Sequence, residues 1–384
     1  MRTTLLTRKL MVLGQEVQEP TLLAVVLTMA GFAVLLAVCI VAIASLPAFG
    51  YIWWTVAAVA TILASLVVSL RLHPQRGSTS PTGRQRWFRR IHVWARLLLI
   101  VVLACWLGLI VWSALCPGGA VPAAKADPAL IRVVTWNIHC GQDEGPPWKQ
   151  FDWPMRKQAL QAAIDQARPD ILCVQEATPV QVAFLEEALP GHRRIGVGRD
   201  GESGGEHCAI YFNAERFEEI GGSTFWLEEP TDEPRAGSAL DVKRICTWVR
   251  LRDRVSRRTL RVYNTHLYLT EAPRRQAGKL ILAHINAGDP ADAVLLTADF
   301  NASASAPSRR QFIESGLADS AELAGTPIGK PTFHMGYGIG LWCIDGILVD
   351  QHWSVHNHQI LKVKPKNTFP SDHFALLADL ALAD

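Results

Sequence analysis

Between Glu19 and Arg71 the chain runs for 51 residues without an Asp, Glu, Lys, Arg or His, and between Arg96 and Lys125 for another 28. Stretches of that length exclude a wholly soluble protein, because about 20 apolar residues already cross a bilayer core. The first stretch is too long for one span, and Leu46-Pro47-Ala48-Phe49-Gly50 breaks it near the middle. It predicts one helix from about Leu22 to Leu46 and a second from about Tyr51 to Leu70. The later stretch predicts a third from about Leu97 to Leu115. Trp53, Trp54, Trp94 and Trp112 lie near the proposed ends, as interfacial aromatics do. A cleaved signal peptide is excluded by the length of the first stretch and by the span that follows it.

Loop charge sets the orientation. The segment 71–96 holds seven arginines and no acid, and loops this basic stay cytoplasmic. Arg2, Arg8 and Lys9 put the N-terminal tail on the same side, and the uncharged turn at Pro47 suits the other. The expected organisation is a cytoplasmic tail (1–20), an all-α transmembrane region (21–116), a linker (117–129) and a soluble domain (130–384). An odd number of spans places that domain outside the cytoplasm, as in a bacterial inner-membrane protein facing the periplasm or exterior. The arginine loop reads first as a topology determinant, with anionic-lipid binding as the functional alternative. No Asp, Glu, Lys, Arg or His lies within the proposed spans, which argues against an ion pathway. The lipid bilayer is therefore an expected partner, and no protein partner is inferable.

The two parts differ in charge. Residues 1–126 sum to +9 and the remaining 258 to −6. A nucleic-acid binder usually carries a basic footprint, which this second part lacks in sum. None of the eight cysteines forms a CxxC pair, so a zinc ribbon or thioredoxin-type motif is not expected. Cys173 and Cys246 sit in apolar runs and read as buried thiols.

Eight short apolar runs predict strands: 131–136, 171–174, 209–212, 247–251, 259–263, 294–297, 344–349 and 375–380. Met155 to Ala167 and Ala272 to Ala287 have helical spacing, with Leu160, Ala163, Ile164 and Ala167 on one face of the first. Alternating strands and helices over this length predict a layered α/β domain. Gly201-Glu202-Ser203-Gly204-Gly205 matches GxSxG but runs into a strand-like stretch, so it reads as a loop and not as a nucleophile elbow.

Nearly every predicted strand ends in a carboxylate, amide or imidazole. Asn137 follows the first and Gln175-Glu176 the second. Asn264-Thr265-His266 and Asp299-Phe300-Asn301 close two more, Asp345 opens one, and Ser371-Asp372-His373 precedes the last. Strand ends on one edge of a sheet converge on one pocket, where loops carry function on a rigid scaffold. Each residue alone is unremarkable, but the ordered set WN, QE, NTH, DFN, ID and SDH resembles the endonuclease/exonuclease/phosphatase superfamily. The resemblance spans roughly Ile131 to Leu380 and none of the membrane part. It implies a four-layer, deoxyribonuclease-like α/β-sandwich and hydrolysis of a phosphoester with Mg²⁺ or a similar hard cation such as Mn²⁺ or Ca²⁺. Asn137 and Glu176 would hold the metal, with Asp372 as a further ligand. Asp299 would orient or deprotonate the attacking water, and Asn301 would position it. His373, its tautomer and charge fixed by Asp345, would contact the scissile phosphate, and His266 would be a second phosphate contact or a general acid.

The residue types suit that chemistry. Phosphoester hydrolysis needs a cation against the phosphate oxygens, a base for water and help for the leaving oxygen. Carboxylate ligands suit Mg²⁺, and the set lacks a thiolate or three-histidine cluster that would favour zinc. Gly205-Glu206, Thr224-Phe225-Trp226-Leu227 and Arg244-Ile245-Cys246-Thr247-Trp248 are similar to a bacterial, membrane-anchored branch of the superfamily. There Glu206, Asp241 and Arg244 would shape the substrate cleft, while Trp226 and Trp248 read as core. One departure is Gly346, where an aromatic or basic residue is common.

The expectation is a membrane-anchored, metal-dependent phosphoesterase, first of all a nuclease-type hydrolase, with a phospholipid or inositol- or sugar-phosphate substrate as the alternative. A non-catalytic membrane adaptor on the same fold is the rival from another class.

Overall fold

The computed structural model describes residues 10–12, 15–17, 122, 124–141, 153–235, 242–336 and 338–383. The three proposed spans, the arginine loop and Asp241 lie outside the described residues. Among the described residues no helix is long and apolar enough to cross a membrane. The chain divides into two units, Met1–Gly108 and Leu109–Asp384. In the first, β1 (Leu10–Val12) and β2 (Gln15–Val17) pair as a short antiparallel hairpin.

The second unit is built from two six-stranded mixed sheets. One contains β3 (Ile131–Asn137), β4 (Ile171–Gln175), β5 (His192–Ile195), β6 (Ile210–Asn213), β13 (Trp353–Leu361) and β14 (Ala375–Leu382), in the order β13-β14-β3-β4-β6-β5. The other contains β7 (Phe217–Trp226), β8 (Ile245–Asp253), β9 (Thr259–His266), β10 (Ala293–Asp299), β11 (Ala318–Asp319) and β12 (Asp345–Val349), in the order β11-β12-β10-β9-β8-β7. Among the described residues, β3 with β4 and β9 with β10 run parallel and the other pairs are antiparallel.

Apolar side chains from both sheets, among them Val133, Ile171, Phe212, Val249, Val262, Leu295, Ile347 and Leu376, form one buried layer between them. The outer face of the first sheet is covered by α1 (Trp153–Ala167) and α2 (Pro179–Ala188) through Leu160, Ile164, Val182 and Leu185. The outer face of the second is covered by α3 (Glu271–Asn286) and α4 (Pro307–Glu314) through Ala277, Ile281 and Phe312. This is the expected four-layer sandwich, and all eight predicted strands and both predicted helices are present. Burial on both faces explains why β4 and β10 open on unbroken apolar runs.

In the second unit the strands that no apolar run predicts are β5, β7, β11 and β13, which are the four edges of its two sheets; the β1–β2 hairpin is likewise unpredicted. An edge strand keeps polar residues along its exposed side. His192-Arg193-Arg194-Ile195 and Trp353-Ser354-Val355-His356-Asn357 therefore carry no apolar run to detect.

Candidate active site

Strand register assembles the site. Parallel pairing sets Asp299 of β10 beside His266 of β9, and antiparallel pairing sets the same Asp299 beside Asp345 of β12. Three functional side chains thus stand in one row across three neighbouring strands. The other sheet brings Asn137 to the end of β3, opposite Gln175 of β4. Asn137 then joins the two sheets: its Nδ2 donates to Asp299 Oδ2 at 2.9 Å and to Glu176 Oε1 at 3.0 Å. Ser371 Oγ donates to the Asn137 carbonyl at 2.6 Å and accepts from His373 N at 3.1 Å, which fixes the third loop against the first two.

His373 Nδ1 lies 2.9 Å from Asp345 Oδ2, and its Nε2 lies 3.8 Å from Asp299 Oδ2. Burial alone would lower the imidazole, but Asp345, Asp299 and Asp372 outweigh it and push His373 up to about 10. Burial, reinforced by the charge of Asp345, pushes Asp299 up to about 7. Partial burial would raise Asp372, yet His139 and His373 hold it down at about 2.

Asn301 Nδ2 donates to His266 Nε2 at 2.8 Å and to the Leu267 carbonyl at 2.9 Å, so the His266 ring proton sits on Nδ1. Burial, then Arg244 and His373, lower His266 well below the ordinary histidine range and keep it neutral. His266 Nδ1 and Asp345 Oδ1 are buried without a hydrogen-bond partner among the described residues. Buried polar atoms are seldom left so; here the first offers a donor and the second an acceptor.

Three site residues have left-handed backbone: His139 at φ 56°, Glu176 at 61° and Asn301 at 49°. Non-glycine residues held there are uncommon and cluster at functional sites. The surroundings that enforce them include two residues absent from the sequence reading. Arg156 of α1 is fully buried and donates to the carbonyls of Ile138 (2.7 Å), His139 (3.1 Å), Cys140 (3.1 Å) and Pro370 (2.9 Å), tying the loop after β3 to the loop before β14. Its sequence signal is a charge on the apolar face of α1, one turn before Leu160. His139 itself stands between the carboxylates of Glu176 and Asp372, with Nδ1 at 3.7 and 3.5 Å from them.

All eight expected core residues therefore meet: Asn137, Glu176, His266, Asp299, Asn301, Asp345, Asp372 and His373. Glu206 and Arg244 line the adjoining cleft together with Arg199, Lys243 and His207. Glu206 accepts from Arg199 at 2.7 Å, and Lys243 donates to Asp200 at 2.8 Å. Burial, with Glu176 nearby, raises Glu206 against the pull of Arg199 and Arg244. Arg244 Nε is buried without a partner among the described residues. At Gly346, an added Cβ would meet Arg309 Nη2 at 2.6 Å and Phe300 at 2.9 Å. The space of the usual larger side chain is filled from α4 by Arg309, whose guanidinium lies 4.7 Å over the Phe300 ring.

The chain belongs to the endonuclease/exonuclease/phosphatase family, whose sequence profile matches residues 134–373. That is a family of hydrolases acting on phosphoester bonds. The chain is similar to the endonuclease/exonuclease/phosphatase from Bacteroides vulgatus, at 28% identity and a TM-score of 0.60, over 66% of this chain and 99% of that one. It is similar to a mannosyl-6-phosphatase from Bacteroides thetaiotaomicron, at 25% identity and a TM-score of 0.59, over 66% of this chain and all of that one (100%). It shares its fold with D. rerio TDP2 complexed with a single-stranded DNA product, at 14% identity and a TM-score of 0.53, over 66% and 99% of the two chains. No curated protein matches the chain.

Proposed function

We propose that this protein is a divalent-metal-dependent phosphoesterase that acts on a small phosphoester, a sugar phosphate being the leading class. The observation that carries the reading is the position of Asp299. Its Oδ2 lies 2.9 Å from Asn137 Nδ2, 3.5 Å from His266 Nε2 and 3.8 Å from His373 Nε2. A carboxylate raised to about 7 is matched to taking a proton from water near neutral pH. His373, held cationic by Asp345, donates to a non-bridging oxygen of the phosphate. His266 is neutral and offers its Nδ1 proton, so it serves as a phosphate contact and not as the general acid. Asn301 fixes the His266 ring.

Glu176 and Asp372, with the Asn137 amide oxygen, would hold the cation. Two carboxylates and an amide oxygen are the hard donors that such an ion takes. Bound there, it supplies neutralisation of the phosphate oxygens.

Nucleic acid is the second substrate reading. Binding it requires several cations along the backbone path. Arg199 and Lys243 are instead each paired with an acid, and the soluble part sums to −6. The likeness to a mannosyl-6-phosphatase supports the small phosphoester. Three membrane helices are proposed to anchor the domain outside the cytoplasm; the uncharged stretches and the arginine loop support this, and a reporter fused after Asp384 that is active only in the periplasm is the expected result.

The test is hydrolysis by the full-length protein in detergent, with Mg²⁺ or EDTA, of sugar phosphates, inositol phosphates, phospholipids, DNA and RNA. Metal-dependent release of phosphate from a sugar phosphate is expected. Cleavage of DNA or RNA in its place selects the nuclease reading, and no turnover of any substrate selects the adaptor.

A further inference from the structure

The loop after β3 brings two donors to the site that the hard-cation set does not need. His139 Nδ1, Cys140 Sγ and a Glu176 carboxylate oxygen all lie within 4.8 Å of one another. Asp372 Oδ1 stands 3.5 Å from the same His139 nitrogen, and Glu176 Oε2 stands 3.7 Å from it. With Zn–N and Zn–O bonds near 2.0–2.1 Å and Zn–S near 2.3 Å, donors around a tetrahedral zinc ion stand about 3.3–3.6 Å apart. The 3.5 Å separation falls within that range and the 3.7 Å one lies just beyond it. They are long for hydrogen bonds and short for unrelated side chains.

The donors are also held in place. His139 N donates to Asn137 Oδ1 at 3.0 Å, and the His139 carbonyl accepts from Gln181 Nε2 at 2.8 Å and from Arg156. Cys140 N donates to Glu176 Oε2 at 3.0 Å, and its carbonyl accepts from Arg156. Gln181 in turn caps α2, accepting from Thr178 N at 2.9 Å. Cys140 is in no disulfide and is partly exposed, whereas Cys173, Cys208 and Cys246 are buried.

We propose that His139, Cys140 and Glu176 form a zinc-class site in the loop after β3, with the Asp372 carboxylate beside His139. One imidazole and one thiolate beside a carboxylate select a borderline cation over Mg²⁺. The Cys140 thiol gives up its proton to solvent when the ion binds. Because Glu176 is shared, such an ion excludes the hard cation and stops turnover; this last consequence rests on the phosphoesterase reading, and the binding does not.

The test uses full-length protein stripped of metal and titrated with Co²⁺ in excess Mg²⁺. A thiolate-to-cobalt charge-transfer band is expected, lost on adding Zn²⁺. In Cys140→Ala the band disappears and Zn²⁺ binding, read by competition with a chromophoric chelator, weakens at least tenfold. Alkylation of wild-type Cys140, read by peptide mass, is slowed at least tenfold by Zn²⁺ and not by Mg²⁺, which tests the site without a variant. Absence of the band, or equal alkylation with and without Zn²⁺, overturns the proposal. Zn²⁺ affinity within twofold of wild type in a folded Cys140→Ala does the same. None of these readouts needs hydrolysis, so the metal site and the phosphoesterase reading stand or fall separately.

Discussion

Asp345 stands directly opposite Asp299 in the antiparallel β10–β12 register, and the His373 ring bridges them, 2.9 Å from the first carboxylate and 3.8 Å from the second. Two buried carboxylates this close repel, and one imidazolium between them relieves the repulsion. The same three groups set the proton affinities of the site. Asp299 is raised to about 7 and His373 to about 10.

Activity should accordingly rise as pH passes about 7, where Asp299 loses its proton, and fall as pH approaches about 10, where His373 loses its own. The stability term has a definite sign too. His373 binds its proton more tightly folded than unfolded, so its contribution is complete below the unfolded value of about 6.5. It fades as pH climbs through about 10. A pH–rate profile of kcat/KM checks the first point; a profile flat from pH 6 to 8 contradicts it.

Asp345→Asn keeps the shape of the residue and removes the charge that holds His373 cationic. The variant should fold and lose about 10²–10⁴ in kcat, the range for a misplaced proton-transfer group. Steady-state kinetics alongside circular dichroism separates this from unfolding.

Arg156→Met should cost at least about 3 kcal/mol, because it leaves carbonyls of two loops without their charged donor in a buried place. Denaturant unfolding measures it. A loss under about 1 kcal/mol would mean that the four bonds to Ile138, His139, Cys140 and Pro370 contribute little beyond what water supplies.

Gly346→Ala should destabilise by about 1–3 kcal/mol, the usual cost of overpacking. The new Cβ would press on Arg309 and Phe300, and Arg309 is itself held by Asp319 at 2.8 Å. A shortened variant at the contact, Arg309→Ala with Gly346→Ala, should recover part of the clash while losing the ion pair. Thermal unfolding of the three proteins resolves the two effects.

The interior strands were legible because burial on both faces writes a continuous apolar run. The four edge strands were not, since β5 and β13 carry histidines, arginines and amides along an exposed side. The site was legible where chemistry sits at strand ends in a fixed order, from Asn137 to His373. His139 and Arg156 escaped because their roles are spatial. His139 matters through the gap between two carboxylates that are distant in sequence, and Arg156 through carbonyls in two loops. Only its charge on the apolar face of α1 hinted at the second. The tautomer of His266 likewise depends on Asn301, which no linear pattern reveals.

The most direct measurement is Mg²⁺-dependent phosphate release by full-length wild type and by Asp299→Ala, each with and without EDTA. The account predicts turnover in wild type that EDTA abolishes and added Mg²⁺ restores. It predicts a loss of at least about 10³-fold in the folded variant, in keeping with removal of a positioned base and its electrostatic setting. Full activity in Asp299→Ala, or wild-type turnover indifferent to EDTA, would contradict it.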